Sequence, residues 1–163
     1  KKVMGIIIDK IPSPNFDKRP KGVKIKAIII HYTGMRTFDE ALERLCDKRS
    51  KVSSHYLIRR NGRIINLVNE SDRAWHAGVS YWRGIHNLNN CSIGIELENP
   101  GYEFGYLPFS KKQMESLIFL CKKIKKKYQI HPEWVLGHSE IAPNRKKDPG
   151  KKFNWKEIKK IFK

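Results

Sequence analysis

The sequence predicts an α/β fold in which a central mixed β-sheet is covered by helices within one domain. Residues 27–30 are four consecutive apolar residues, which is typical of a central strand buried on both faces. Asn61-Gly62 lies between two strand-like segments and strongly favours a hairpin. Ser110 precedes apolar residues at helical spacing, which indicates an amphipathic helix that packs on such a sheet.

The N-terminal part is expected to be a leader followed by the domain itself. Residues 1–22 contain three prolines among charged residues, so we expect an irregular leader that lies over the domain. The domain then spans residues 23–163, and its first element is the central strand at residues 24–33.

A capping box and a hairpin follow the central strand. Thr37 and Glu40 have the spacing of a capping box, which predicts a short helix that runs to residue 47. Residues 52–60 and 63–68 are strand-like runs, and the Asn-Gly pair between them predicts that they pair with each other.

The C-terminal half is predicted to combine further strands with two helices. Residues 71–91 are rich in Trp, Gly, His and Asn without a period, which indicates a long functional loop. Residues 92–98 alternate and predict a strand with one polar face. A long capped helix is expected over residues 110–128, a short strand over residues 134–137, and a final helix from Asn154.

The charge of the chain restricts the classes of partner. There are 34 basic and 16 acidic residues, which give a net charge of +18 and favour an anionic polymer, either nucleic acid or a cell-wall glycan. Lysine outnumbers arginine by 24 to 10 and is the poorer residue for bidentate recognition. The alternative is a lysine-rich composition with loose attraction to anionic surfaces. We therefore expect no specific nucleic-acid partner.

Two further classes are disfavoured by the composition. The apolar runs are far too short to cross a bilayer, so no transmembrane segment is expected in this chain. The three cysteines are widely spaced and form no C-x-x-C pattern, so neither a disulfide framework nor a thiolate zinc cluster is predicted.

Two histidines and one carboxylate suggest a metal site. His138 and Asp148 lie ten residues apart with Lys146 between them, and His31 ends the aliphatic run of the central strand. Two histidines and a carboxylate form a three-ligand catalytic zinc set with one coordination position left open. Taken singly, each residue is more often structural, so the hypothesis requires all three to meet at one point.

Five ordered blocks carry a resemblance to a known family. The chain resembles the type-2 N-acetylmuramoyl-L-alanine amidases, zinc enzymes related to the phage lysozyme-like amidases and the peptidoglycan-recognition proteins, from about residue 24 to about residue 155. The blocks are Ile30-His31-Tyr32-Thr33, Ser53-Ser54-His55-Tyr56-Leu57-Ile58, Ala74-Trp75-His76-Ala77-Gly78, Asn90-Cys91-Ser92-Ile93-Gly94-Ile95-Glu96, and Gly137-His138 through Asp148-Pro149-Gly150. The resemblance implies that family's single-domain mixed-sheet fold.

The resemblance also implies a ligand set and a catalytic pair. His31, His138 and Asp148 are expected to bind one zinc ion per chain. Glu96 corresponds to the catalytic carboxylate, which takes a proton from the attacking water. Lys146 corresponds to the lysine that stabilises the oxyanion.

Each member of the catalytic pair has an alternative. Alternation places Glu98 on the same face of the strand as Glu96, although a salt bridge on the sheet surface is the preferred interpretation of Glu98. The alternative for Lys146 is a solvated ammonium group with no catalytic role, because several lysines, including Lys147, lie near it in the sequence.

Five residues are expected from the resemblance to contact the substrate: His55, Trp75, His76, Arg83 and Ala142. His55 is equally consistent with a buried strand histidine, and Trp75 with a tryptophan packed under a loop. Relatives often carry arginines where this chain has Lys51 and Asn87. Recognition of the stem-peptide carboxylate is therefore expected to be loose unless Arg83 supplies the fork that lysine lacks.

The implied activity is zinc-dependent hydrolysis of the amide between N-acetylmuramic acid, or its 1,6-anhydro form, and L-alanine in peptidoglycan or a muropeptide. The first alternative is a peptidoglycan-recognition module that binds without cutting, and the second is a basic nucleic-acid-binding protein. The segments Trp82-Arg83-Gly84 and Glu96-Leu97-Glu98-Asn99 are most similar to the envelope branch of the family. A periplasmic or secreted monomer is therefore expected, with a cytoplasmic location as the alternative.

Overall fold

A six-stranded mixed sheet forms the centre of the computed structural model, which describes residues 6–163. The strands of this sheet are β1 (Ile8–Lys10), β3 (Ala27–Tyr32), β4 (Tyr56–Ile58), β5 (Ile64–Asn66), β9 (Ser92–Leu97) and β10 (Val135–Gly137). Their order across the sheet is β1-β5-β4-β9-β3-β10. The strands of two small ribbons are β2 (Phe16–Lys18) with β6 (Asp72–Ala74), and β7 (Tyr81–Trp82) with β8 (Ile85–His86). The helices are α1 (Phe38–Cys46), α2 (Lys111–Tyr128), α3 (His138–Ile141) and α4 (Trp155–Lys159).

The centre of the sheet is parallel, and this brings the carboxyl ends of three strands to one edge. Strand β3 pairs in parallel with both β9 and β10, and the β3–β9 register places His31 opposite Glu96. Only the hairpin partners β4 and β5 are antiparallel within this sheet among the described residues. In such sheets ligand sites form beyond the carboxyl ends of the strands.

The unbroken apolar run of β3 is explained by cover on both faces of the sheet. Ile28 and Ile30 belong to the core cluster that includes α2, whereas Ala27 and Ile29 belong to a second cluster on the opposite face. All four side chains have no exposed surface. A strand covered in this way has no polar face, so its sequence is a continuous run of hydrophobic residues.

Helix α2 covers the larger core through the predicted apolar stripe. The Ser110 hydroxyl accepts a hydrogen bond from the Gln113 amide and caps the first turn, as the sequence indicates. Leu117, Cys121 and Ile124 are buried against the sheet, while the lysines of the helix lie on its solvent face. The helix begins and ends at the predicted residues because its cap and its stripe are local features.

The prediction of an irregular leader is wrong for the six residues that form β1 and β2. β1 adds to the edge of the main sheet beside β5, and β2 pairs with β6. The prolines of the leader lie outside both strands, so they remove no ladder hydrogen bond. The predicted loop at 71–91 likewise contains β6, β7 and β8 together with a 3₁₀ helix at Leu88–Cys91. Such short pairings are decided by non-local partners.

Within residues 6–163, no helix has the length and apolarity needed to cross a membrane. The three cysteines are unbridged: Cys91 and Cys121 are buried, and Cys46 is half-buried.

Candidate metal centre and active-site cavity

A cavity of about 720 Å³ opens at the carboxyl ends of β3, β9 and β10. Its wall includes His31 from β3, Glu96 from β9, His138 from the start of α3, and Asp148 from the loop that follows. The parallel register explains this convergence, since it aligns the ends of strands that are distant in sequence.

Three ligand atoms meet at one point of this cavity. His31 Nδ1 lies 3.0 Å from His138 Nδ1 and 2.9 Å from Asp148 Oδ2, and His138 Nδ1 lies 3.2 Å from the same oxygen. All three residues are buried. Four ligands at about 2.0–2.1 Å around a tetrahedral zinc ion are separated from one another by about 3.3 Å, so this triangle has the size that a bound cation requires.

The outer nitrogens of both histidines are occupied, which leaves Nδ1 as the ligand atom. His138 Nε2 lies 2.9 Å from the Ala77 carbonyl oxygen, so Nε2 carries the proton and donates it. His31 Nε2 lies 3.0 Å from His76 Nδ1. Partners of this kind on the outer nitrogen fix tautomer and ring orientation in metal sites. The arrangement therefore fits a cation held by two imidazoles and one carboxylate.

The ionisation of His31 and Asp148 also favours metal binding. Burial lowers the pKa of His31 to about 4, and the neighbouring His138 adds to that shift. For Asp148, burial acts to raise the pKa, but hydrogen bonds from His138 and His31 outweigh it and hold the pKa below its ordinary value. Neutral imidazole and ionised carboxylate, the forms that bind a metal, thus coexist at neutral pH.

Glu96 contributes a half-buried carboxylate to the wall of this cavity. Its Oε2 atom is shielded from solvent and has no hydrogen-bond partner among the described residues. Burial raises the pKa of Glu96 well above its ordinary value, and the nearby Asp148 carboxylate raises it further, while Lys146 and Arg44 oppose the shift. Unpaired buried carboxylates with raised pKa values are typical of groups that exchange protons during catalysis.

Glu98 lies outside the cavity, in agreement with the interpretation that was preferred from the sequence. Its Oε1 atom accepts a hydrogen bond of 3.0 Å from the Arg60 amide and lies 3.8 Å from Arg59 Nε. Glu98 follows the last residue of β9 and is not part of the cavity wall. Alternation along the sequence could not separate the two glutamates. The structure separates them because β9 ends between Glu96 and Glu98.

The lysine expected at the site lines the cavity together with its neighbour. Both Lys146 and Lys147 contribute to the wall. The Lys146 ammonium lowers the pKa values of both His31 and Glu96. Lys146 is therefore the candidate of the two for the cation that acts on the carboxylate.

The residues expected to contact substrate divide into two groups. Trp75 and His76 line the cavity, whereas His55, Arg83 and Ala142 do not. The indole Nε1 of Trp75 donates to Asp17 Oδ1 at 3.2 Å, which holds the ring beside the opening. His76 is almost completely buried and bonded to its neighbours.

His55 lies one residue before β4 and is buried, which agrees with the alternative of a buried histidine rather than with substrate contact. It has no exposed surface, and its Nδ1 accepts a hydrogen bond of 3.0 Å from the Gly94 amide. Its Nε2 lies 2.9 Å from the Asp72 carbonyl oxygen. Burial lowers the pKa of His55 to about 3, so it remains a neutral link between β9 and the β6 region.

Arg83 and Ala142 also differ from the expectation. The Arg83 guanidinium lies 3.3 Å from the Glu133 carboxylate, and both side chains are about half exposed. Ala142 is buried and accepts a backbone hydrogen bond of 3.0 Å from the Lys146 amide. Ala142 therefore supports the loop that carries the lysine, and Arg83 belongs to a surface ion pair.

Several wall residues were not anticipated from the sequence. They are Arg36, Arg44, Tyr102, Phe104 and Arg145. The Arg36 guanidinium stacks on the Phe104 ring at 4.6 Å, and Arg145 donates to the carbonyl oxygens of Ala77 and Val79 at 3.0 and 2.7 Å. Isolated arginines on helices and loops carry no local signal, so only their placement marks them.

Comparison with known proteins gives a consistent match. A family model described as N-acetylmuramoyl-L-alanine amidase matches residues 21–151. N-acetylmuramoyl-L-alanine amidase AmiD of Escherichia coli K12 is 48% identical over 147 residues, which are 83% of this chain and 52% of AmiD. This chain thus spans about half the length of that relative. The 1,6-anhydro-N-acetylmuramyl-L-alanine amidase AmpD of Haemophilus influenzae is 39% identical over 171 residues, 93% of this chain and 91% of AmpD.

A solved structure agrees with the sequence matches. AmiD from E. coli in complex with the substrate anhydro-N-acetylmuramic acid-L-Ala-D-γ-Glu-L-Lys has a TM-score of 0.77 to this chain at 42% identity. The match covers 88% of this chain and 60% of that one. The predicted fold class is therefore confirmed, both by the architecture and by this likeness.

Proposed function

The chain belongs to the N-acetylmuramoyl-L-alanine amidase family, and on that premise we propose that it hydrolyses the amide bond between muramic acid and L-alanine. The muramic acid is N-acetylated and is taken either within peptidoglycan or in its 1,6-anhydro form. The products are a glycan or sugar and a free stem peptide.

One observation carries this proposal: three ligand atoms and an unpaired carboxylate converge in a single cavity. His31, His138 and Asp148 supply the ligand atoms, and Glu96 supplies the carboxylate. A recognition module requires neither a group that exchanges protons nor an open metal position. Metal-assisted hydrolysis of an amide uses both, because the metal activates the carbonyl and the leaving amine needs a proton.

The cation is proposed to be one zinc ion per chain, held by His31 Nδ1, His138 Nδ1 and Asp148 Oδ2. Two imidazoles and one carboxylate are a common catalytic zinc ligand set, and they leave one position open. A bound zinc ion would supply Lewis acidity, which polarises the scissile carbonyl and lowers the pKa of water.

Glu96 moves the proton in this reaction. Its carboxylate accepts a proton as the water oxygen bonds to the carbonyl carbon, and it delivers that proton to the nitrogen as the C–N bond breaks. A pKa raised by burial suits both halves of the task, since the group must accept a proton and then release it. Lys146 faces the same space and stabilises the negative charge that develops on the carbonyl oxygen.

The wall of the cavity positions the substrate. Trp75, Tyr102 and Phe104 offer aromatic surface, and Arg36 and Arg44 offer positive charge. Aromatic faces pack against sugar and peptide backbone, and guanidinium groups pair with carboxylates. We place the aminosugar and the stem peptide along these residues, with the amide at the ligand triad.

The cellular setting is proposed on narrower grounds. The similarity of Trp82-Arg83-Gly84 and Glu96–Asn99 to the envelope branch favours a periplasmic or secreted protein, and the cytoplasm is the alternative. The catalytic domain is assigned to residues 23–163, with β1 and β2 of the preceding segment packed on it.

Mass spectrometry of a defined disaccharide-tetrapeptide and of its 1,6-anhydro counterpart tests the proposal. The wild-type chain with zinc should release the intact tetrapeptide, a chelator should stop release, and added zinc should restore it. Glu96→Gln is the matched control, because it should bind zinc and release no peptide. Tight binding of the substrate by zinc-loaded protein without any cleavage would leave the recognition module as the function.

A further inference from the structure

One dipeptide contacts both ligand histidines on the side away from the triad. His76 Nδ1 lies 3.0 Å from His31 Nε2, and the carbonyl oxygen of Ala77 lies 2.9 Å from His138 Nε2. When His31 Nδ1 and His138 Nδ1 face a cation as lone pairs, both Nε2 atoms carry protons. The His76-Ala77 dipeptide then accepts both of those protons.

A single side chain holds this dipeptide in place. Asn89 Oδ1 accepts a hydrogen bond of 3.1 Å from the His76 amide and one of 2.8 Å from the Ala77 amide. The Ala77 carbonyl is held from the other side by Arg145, whose guanidinium donates to it at 3.0 Å. Hydrogen bonds with residues outside the triad therefore fix both amides of the dipeptide and its Ala77 carbonyl.

The imidazole of His76 is seated in a space built for it. Its ring lies against Gly94 of β9, where a Cβ atom would stand 2.4 Å from the ring carbon Cγ. Its Nε2 lies 3.0 Å from the Ser92 hydroxyl, which is completely buried. A larger residue than glycine at position 94 would displace the ring from His31. The strand that carries Glu96 thus also supports this histidine.

We propose that His76 and Asn89 are positioning residues for the metal centre, in which the Asn89 amide oxygen fixes the dipeptide that orients both ligand imidazoles. This role differs from the substrate contact that the family resemblance implies for His76. In this inference, which rests on the proposed zinc site, His31 Nε2 donates to His76 Nδ1 and His76 Nε2 donates to Ser92. That order of donation keeps the lone pair of His31 on Nδ1.

Replacement of His76 or Asn89 by alanine should lower the zinc affinity by a measurable factor. Removal of groups that orient metal-bound histidines typically lowers metal affinity by about 10–100-fold. His76→Ala should show such a loss because the outer nitrogen of His31 is left unpaired. Asn89→Ala should show one as well, although Asn89 contacts neither ligand directly.

Zinc affinity measured by competition with a chromophoric chelator, together with the visible spectrum of the cobalt-substituted protein, provides the test. Asn89→Asp keeps the oxygen that accepts both amides and should restore affinity and spectrum. His76→Gln keeps an acceptor for His31 and should bind more tightly than His76→Ala. The controls are Asn90→Ala, whose Oδ1 accepts instead from Arg73, and His86→Ala, an exposed histidine. Thermal melting of each metal-free variant establishes that it is folded.

The two hypotheses fail in different ways. Weak zinc binding by the wild-type chain would overturn the proposed metal site and the inference with it. Tight binding by the wild type with equal affinity and an unchanged cobalt spectrum in His76→Ala and Asn89→Ala would overturn the positioning role alone. Equal loss in Asn89→Ala and Asn89→Asp would also overturn it, because the shared oxygen would then be irrelevant.

Discussion

His31 and Glu96 stand directly opposite each other on the neighbouring parallel strands β3 and β9. This pairing brings a proposed metal ligand and the proposed proton carrier to the same cavity at a fixed level of the sheet. A central, fully covered sheet is the most rigid part of such a domain, so the two groups are held in place before substrate arrives.

Replacing Glu96 by glutamine should lower the activity and raise the stability of the metal-free protein. We expect turnover to fall by about 10²–10⁴-fold, because the proton carrier is lost. In the metal-free protein the melting temperature at neutral pH should rise, since a raised pKa means that ionisation of Glu96 in the folded state costs stability. That gain should disappear as the pH falls to the ordinary glutamate range near ~4.3.

Glu98→Gln is the matched control for this experiment. Glu98 accepts from the Arg60 amide outside the cavity, so its replacement should change turnover little. Loss of turnover in Glu98→Gln with near-normal turnover in Glu96→Gln would reverse the assignment of the proton carrier.

The pH profile of kcat/KM should report the ionisation of Glu96. The carboxylate must be ionised to accept a proton, so the rate should fall as the pH drops through its pKa. Burial and the Asp148 carboxylate raise this pKa, whereas a bound zinc ion would lower it. Arg44 also lowers the pKa of Glu96, so Arg44→Ala should move the acid limb to higher pH. An acid limb that does not respond to Arg44→Ala would contradict the assignment.

The two lysines of the cavity wall should behave differently. Lys146→Ala should lower kcat by about 10²–10³-fold with little change in KM, because the charge that it stabilises develops only in the transition state. Lys147→Ala is the neighbouring control and should retain most of the activity. Steady-state kinetics on the disaccharide-tetrapeptide measure both variants, and comparable kcat losses in the two would show that the ammonium groups are interchangeable.

Arg44 is expected to recognise a carboxylate of the stem peptide. The γ-linked D-glutamate of the ligand bound to E. coli AmiD keeps a free α-carboxylate, and Arg44 lines the cavity without an ion-pair partner among residues 6–163. We expect Arg44→Ala to raise KM for a substrate with this carboxylate free by about tenfold, the size of a single charged hydrogen bond. A substrate with the carboxylate amidated should show little change.

Arg49→Ala is the control for the loss of an arginine. Arg49 is exposed and paired with Asp47 outside the cavity wall. Equal effects of Arg44→Ala on the free and the amidated substrate would exclude recognition of that carboxylate. An effect of Arg83→Ala in place of Arg44→Ala would restore the role that the sequence suggested for Arg83.

Features that depend on neighbours along the chain were predictable from the sequence. The caps at Thr37 and Ser110, the apolar stripe of α2 and the Asn61-Gly62 hairpin all occur where the local pattern indicates. The apolar run of β3 also identified a strand covered on both faces. These features follow from hydrogen bonds and side-chain packing within a few residues, so a local sequence contains them.

The tertiary structure decided which residues share the site. His31 and His138 are separated by 107 residues, and only the parallel pairing of β3 with β10 brings their Nδ1 atoms to 3.0 Å. The same packing buries His55 out of reach and leaves Arg83 on the surface. Family resemblance named the ligands, but sequence spacing alone could not reveal that Asn89 supports both of them. Contacts between distant segments depend on strand order and register, which a local pattern does not encode.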